Sequence, residues 1–69
     1  MIAVWNITDK FGQPGQVRLT EEGKVEKKLY GQRLWRLLAK VDINIFTEKD
    51  VQESLKATEG IVKVIRQRG

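Results

Sequence analysis

Between Lys24 and Lys40 the chain carries six cations, Lys24, Lys27, Lys28, Arg33, Arg36 and Lys40, against one acid, Glu26, with Tyr30 and Trp35 set among them. Guanidinium forks and ammonium groups neutralise phosphate oxygens, and aromatic rings stack on unpaired bases. The run therefore has the residue types that attachment to DNA or RNA requires. The plainer reading is a solvated helix face, since lysine and arginine are good helix formers that keep surfaces soluble, and aromatics such as Trp35 more often pack at the edge of a core.

Charge elsewhere is arranged differently. Val41 to Gly60 holds Lys49 and Lys56 against Asp42, Glu48, Asp50, Glu53 and Glu59, and the last residues add Lys63, Arg66 and Arg68. The molecule is expected to be electrically bipolar, basic overall with a pI of about 9.7.

Other chemistries lack their parts. The 69 residues include no cysteine and no histidine, which removes disulfides, thiol nucleophiles, imidazole bases and the usual zinc ligands. No metal and no cofactor are expected. Gly12-Gln13-Pro14-Gly15 lacks the glycine spacing and the lysine-serine or lysine-threonine ending of a phosphate-binding loop and reads as a turn. Thr20, Ser54 and Thr58 have no base to activate them, so the chain is expected not to be an enzyme. No apolar run is long enough for a membrane helix, and the start MIAVWNITDK has neither the basic opening nor the apolar stretch of a signal peptide. A cytoplasmic location is the expectation.

These side chains must be positioned by a single small domain, residues 1–69, because a chain this short has room for one core. Residues 2–8 are β-branched and aromatic and run into turn formers at 9–15. Gln16 to Thr20 alternates, Gly23 suits a short hairpin loop, and Val25 to Leu29 continues an outgoing strand. A helix starting near Thr20 is the alternative for residues 20–31, at the cost of burying Gly23 and Gly31 inside it. From Gln32 to about Val41, Leu34, Leu37, Leu38 and Val41 gather on one side of a helical wheel and Arg33, Arg36 and Lys40 on another. Asp42 to Phe46 alternates as a half-buried strand. Thr47 with Asp50 makes a helix start, Val51 and Leu55 form its apolar stripe, and Gly60 is placed to end it. Ile61 to Ile65, apolar on both faces but for Lys63, reads as a central strand or one covered by a partner, followed by a basic tail, Arg66-Gln67-Arg68-Gly69.

The predicted fold class is thus α+β, a three-stranded β-meander followed by helix, strand, helix, strand, in one mixed sheet with two helices. The strand-helix-strand ending resembles that of β-grasp and ferredoxin-like modules, and the Arg-Gln-Arg-Gly tail resembles that of ubiquitin-like proteins, with one terminal glycine where conjugated members usually show two. Neither likeness implies a function.

Two function classes follow. The first is a small non-enzymatic nucleic-acid-binding or regulatory domain acting through the basic helix and hairpin, with Lys24, Lys27, Lys28, Arg33, Arg36 and Lys40 on phosphates and Tyr30 and Trp35 stacking. A helix-turn-helix is rejected, because its reading helix would begin Glu48-Lys49-Asp50 and repel phosphate. The second is a protein-protein interaction module or homo-oligomeric small subunit, using the apolar C-terminal strand and the acidic second helix. Rising salt weakens the first steeply and leaves an apolar association standing.

Overall fold

A computed structural model describes residues 2–67. It contains six elements: β1 (Ala3–Asp9), β2 (Pro14–Leu19), β3 (Lys24–Leu29), β4 (Arg36–Lys40), α1 (Glu48–Lys56) and β5 (Ile61–Arg66). The strands form one five-stranded sheet in the order β4-β3-β2-β1-β5, every neighbouring pair antiparallel.

The β1–β2–β3 meander follows from its turns. Asp9 Oδ1 accepts from the amides of Phe11 (2.9 Å) and Gln13 (2.8 Å) and so closes the first connection. The second is tighter: Thr20 accepts from Gly23 N (2.9 Å) through its carbonyl and from Lys24 N (3.1 Å) through Oγ1. Residues 20–31 are accordingly a hairpin and not a helix. Gly23 has φ +83, and a Cβ there would collide with the Val41 carbonyl, while its own carbonyl accepts from Val41 N at 2.7 Å. The hairpin tip therefore also holds the far end of β4.

Three expectations are overturned, and with them the fold class: the described residues form a single helix, and the sheet is wholly antiparallel rather than mixed. First, the segment expected as a helix from Gln32 to Val41 is a turn followed by β4. Leu29 O accepts from Gln32 N (3.0 Å) across a turn whose Gly31 has φ +90, and β4 then joins the open side of β3. The helical spacing of Leu34, Leu37, Leu38 and Val41 is real but unused. The β3–β4 register shifts between Val25 and Glu26, skipping Leu38, and Leu38 lines the same cleft as Ala39, Val51 and Leu55. The bulge puts Leu38 and Ala39 on one face and breaks the period of two, while Leu37 projects from the other face beside Glu26, so residues that would share one side of a helical wheel are divided between the two faces of a strand.

Second, Asp42 to Phe46 is a single turn and not a strand. The Asp42 carbonyl accepts from Ile45 N (2.9 Å) and Phe46 N (2.8 Å), and its Oδ1 takes Asn44 N (2.9 Å). An aspartate that satisfies the amides just after it leaves none for a ladder. Third, of the two readings of Ile61 to Ile65 the central strand is excluded, since the segment lies in β5, an edge strand beside β1, and Arg66 belongs to that strand rather than to a tail, with Nε 3.2 Å from Glu48 Oε2. Arg68 and Gly69 lie outside the described residues.

The helix matches its sequence signals. Thr47 accepts from Asp50 N, and Asp50 returns the bond to Thr47 N at 2.9 Å, completing a capping box. Its buried stripe is Val51 and Leu55. Its end differs from expectation: the helix is capped at Ala57, in a right-handed conformation, and Gly60, expected to end it, instead lies in the turn that leads into β5 with φ +91.

Alternation sends Ala3, Trp5 and Ile7 of β1, Val17 and Leu19 of β2 and Val25 of β3 to one face, where they meet Val51 and Leu55 to form the core. Trp5 is its centre, with no exposed surface, and its indole N–H donates to Gln52 Oε1 at 3.1 Å. The opposite face of the sheet has no helix against it.

Candidate nucleic-acid interface

Because successive residues of a strand point to opposite faces, the buried set fixes which side chains project from the open one. They are Lys63 and Ile65 of β5, Val4, Asn6 and Thr8 of β1, Pro14, Gln16 and Arg18 of β2, Lys24, Glu26 and Lys28 of β3, and Leu37 and Lys40 of β4. Apart from Val4, Pro14, Leu37 and Ile65 these are polar or charged.

Trp35, just before β4, folds over this face. Its ring centroid is 4.2 Å from the Arg18 guanidinium carbon and 5.1 Å from Lys28 Nζ. Arg18 is held from the other side by Glu26, Nε to Oε1 at 2.9 Å. An arginine stacked on an indole and anchored by a cross-strand carboxylate fixes the ring's place.

Beside the ring runs an open groove of roughly 560 Å³, lined among others by Asn6, Thr8, Gln16, Lys28, Tyr30, Gln32, Lys63 and Ile65. Ligand sites commonly measure about 300–1,000 Å³. Amide side chains from three places line it, with an ammonium group from β3 and another from β5. Gln16 Nε2 bonds Asn6 Oδ1 at 3.4 Å, and Gln32 Oε1 is taken by Leu29 N at 3.1 Å, which leaves the remaining amide groups for a ligand. Tyr30 is 87% exposed at the mouth.

The basic residues expected to act together are divided by this register. Lys24, Lys28 and Lys40 project from the open face, while Lys27, paired with Val17 and Arg36, points to the helix side. Arg33 and Tyr30 sit in the β3–β4 connection, at one end of the sheet. The expected basic helix does not exist, so these cations are presented by strands and a turn. Lys24 lies 3.6 Å from Glu22, and Lys24 and Lys40 are directly opposite each other across the ladder. Like charges in that position repel, and an anion bound between them relieves the repulsion.

Comparison with protein-family models, with curated proteins and with solved structures found no match. The arrangement of residues is therefore the whole basis for a functional reading.

Among the described residues no cluster of acidic side chains could hold a metal ion, and no helix is long and apolar enough to cross a membrane. No carboxylate lines the groove, which offers ammonium, amide, hydroxyl and phenol groups.

Arg18, Asn6 and Gln16 are open-face residues that the linear charge map passed over, and Lys63 is one that it counted only toward the basic C-terminal end. Their signal was present: Gln16 and Arg18 are the polar positions of an alternating strand, and Lys63 is the one polar residue in an apolar one. Placing them on the same face as Lys28 needed the strand order.

Proposed function

We propose that this protein is a small non-enzymatic nucleic-acid-binding domain that lays a single strand of RNA or DNA across the open face of its sheet. The observation that carries the reading is Trp35, fixed on that face by Arg18 and Lys28 beside a groove of amides and ammonium groups. Unpaired bases stack on exposed rings, amides hydrogen-bond their edges, and cations follow the phosphates. Lys28, Lys40 and Lys63 contact phosphate, with Lys24 and Arg33 at the margins. Trp35 and Tyr30 supply stacking, and Asn6, Gln16 and Gln32 contact base edges. Lys27 and Arg36 face the helix side and lie outside this surface. A duplex is disfavoured, because a groove reader needs a protruding helix or ribbon and this face is a sheet.

The test is titration with oligothymidylate and oligouridylate, followed by tryptophan fluorescence, in which buried Trp5 gives a constant background and Trp35 reports. Quenching should saturate, and affinity should fall with salt at a log-log slope of about −0.7 per phosphate contacted. Trp35→Ala should weaken binding about tenfold, and Trp35→Phe much less, since one stacked base is worth about 1–3 kcal/mol. Absence of binding at low salt, or equal affinity in Trp35→Ala, refutes the proposal.

A further inference from the structure

We infer that a second copy of this chain pairs antiparallel with the free edge of β4, joining two five-stranded sheets into one across a two-fold axis at Leu37. The inference is independent of the nucleic-acid reading.

β4 is the edge strand opposite β5, and all five of its residues are exposed. Its outer row of amide and carbonyl groups has no strand beside it, which is the standing invitation for a further strand. The helix does not shield this side, because α1 packs beside β5. That leaves a cleft of roughly 340 Å³ between β4 and the helix, lined by Val25, Leu38, Ala39, Val41, Phe46 and Leu55 among others. Along the same edge Leu34, Leu37, Leu38, Ile43, Ile45 and Phe46 are between 39% and 82% exposed. Among the described residues only eight hydrophobic ones are buried, Ala3, Trp5, Ile7, Val17, Leu19, Val25, Val51 and Leu55. A chain of this length without disulfides or a metal gains most from burying that strip. A stable contact buries about 800 Å² per partner, an area that takes in β4 with the turns at both its ends.

What selects a second copy over another partner is the order of charge along the strand. In an antiparallel pair centred on Leu37, Arg36 lies opposite Leu38 of the second copy and Lys40 comes level with Leu34. No cation faces a cation. Arg33 comes alongside Val41 and Asp42 of the other chain, so each end of the seam sets a guanidinium near a carboxylate. Centred one residue later, on Leu38, the same strand would oppose Arg36 to Lys40 twice, cation against cation. The favourable register also keeps the open faces of both sheets on the same side.

The experiment uses the full chain. Light scattering across a concentration series should give twice the 8.0 kDa chain mass. Leu37→Lys sets two ammonium groups together on the axis and should return the particle to a monomer with unchanged circular dichroism. Since the chain has no cysteine, Leu37→Cys supplies one, and mild oxidation should link it to its counterpart in native buffer and not in denaturant. Ile65→Cys on the β5 edge should stay unlinked. A monomer at every concentration overturns the inference. So does a dimer that links through Ile65→Cys while Leu37→Cys stays free, whatever the fate of Leu37→Lys.

Discussion

The Trp35 ring centroid stands 4.2 Å from the Arg18 guanidinium carbon, on the side of the sheet that the helix leaves bare. That contact joins the β3–β4 connection to the middle of the sheet, and it sets the geometry of the open face. It should be visible as coupling. In a double-mutant cycle of Arg18→Ala and Trp35→Ala, followed by urea unfolding, the coupling energy should be about 0.5–2 kcal/mol. A coupling near zero means that the stack does not hold the ring.

Lys27 and Lys28 are adjacent in sequence and project to opposite faces. Lys28→Glu should lower oligonucleotide affinity at least tenfold, and Lys27→Glu should leave it within about twofold, apart from the weak general effect of net charge. The comparison is internal, since both variants change net charge equally. Equal losses would mean that attraction is unspecific and that the face has no special role.

Gly23 is constrained twice, by its positive φ and by the Val41 carbonyl that stands where a Cβ would be. Gly23→Ala should therefore cost about 1–3 kcal/mol and loosen β4 ahead of the rest. Hydrogen exchange at the Val41 amide, which donates to Gly23 O, should speed up more than exchange at Trp5 or Val17. Uniform acceleration would show that β4 opens only with the whole molecule.

Trp5 fills the centre of the core and spends its N–H on Gln52. Trp5→Phe leaves a void and an unpaired amide oxygen, and should cost about 2 kcal/mol. Trp5→Ala, at about 3–5 kcal/mol, should leave so small a domain largely unfolded at room temperature, as read by circular dichroism.

The helix cap offers a local check. Thr47→Ala removes the side chain that accepts from Asp50 N and should cost about 1 kcal/mol, while Thr47→Ser should restore most of it. A melting curve for each variant decides the matter.

Much of the molecule was legible because the signals were local. Asp9 with the turn formers after it, Gly23 in its hairpin and the Thr47-Asp50 capping box act within a few residues of themselves, and each did what its chemistry requires. Leu34, Leu37, Leu38 and Val41 misled because their helical spacing is real but unused: pairing with β3 sends Leu37 to the open face and Leu38 to the cleft beside the helix, a division only the ladder reveals. Asp42 to Phe46 misled because five alternating residues are too few to outweigh an aspartate that captures its own following amides.

Residue types and local turns thus settled by themselves the first strand and its turn, the start of the capped helix, the lack of cysteine and histidine, and the excess of positive charge near Lys24 to Lys40, and favoured a hairpin over a helix at residues 20–31 without deciding it. Tertiary structure alone decided that residues 36–40 are a strand, that β5 lies at an edge, and which cations share a face with Trp35. The reason is that a strand's hydrogen bonds are made to residues distant in sequence. Its face, its neighbours and its exposure are therefore properties of the assembled sheet and not of the segment.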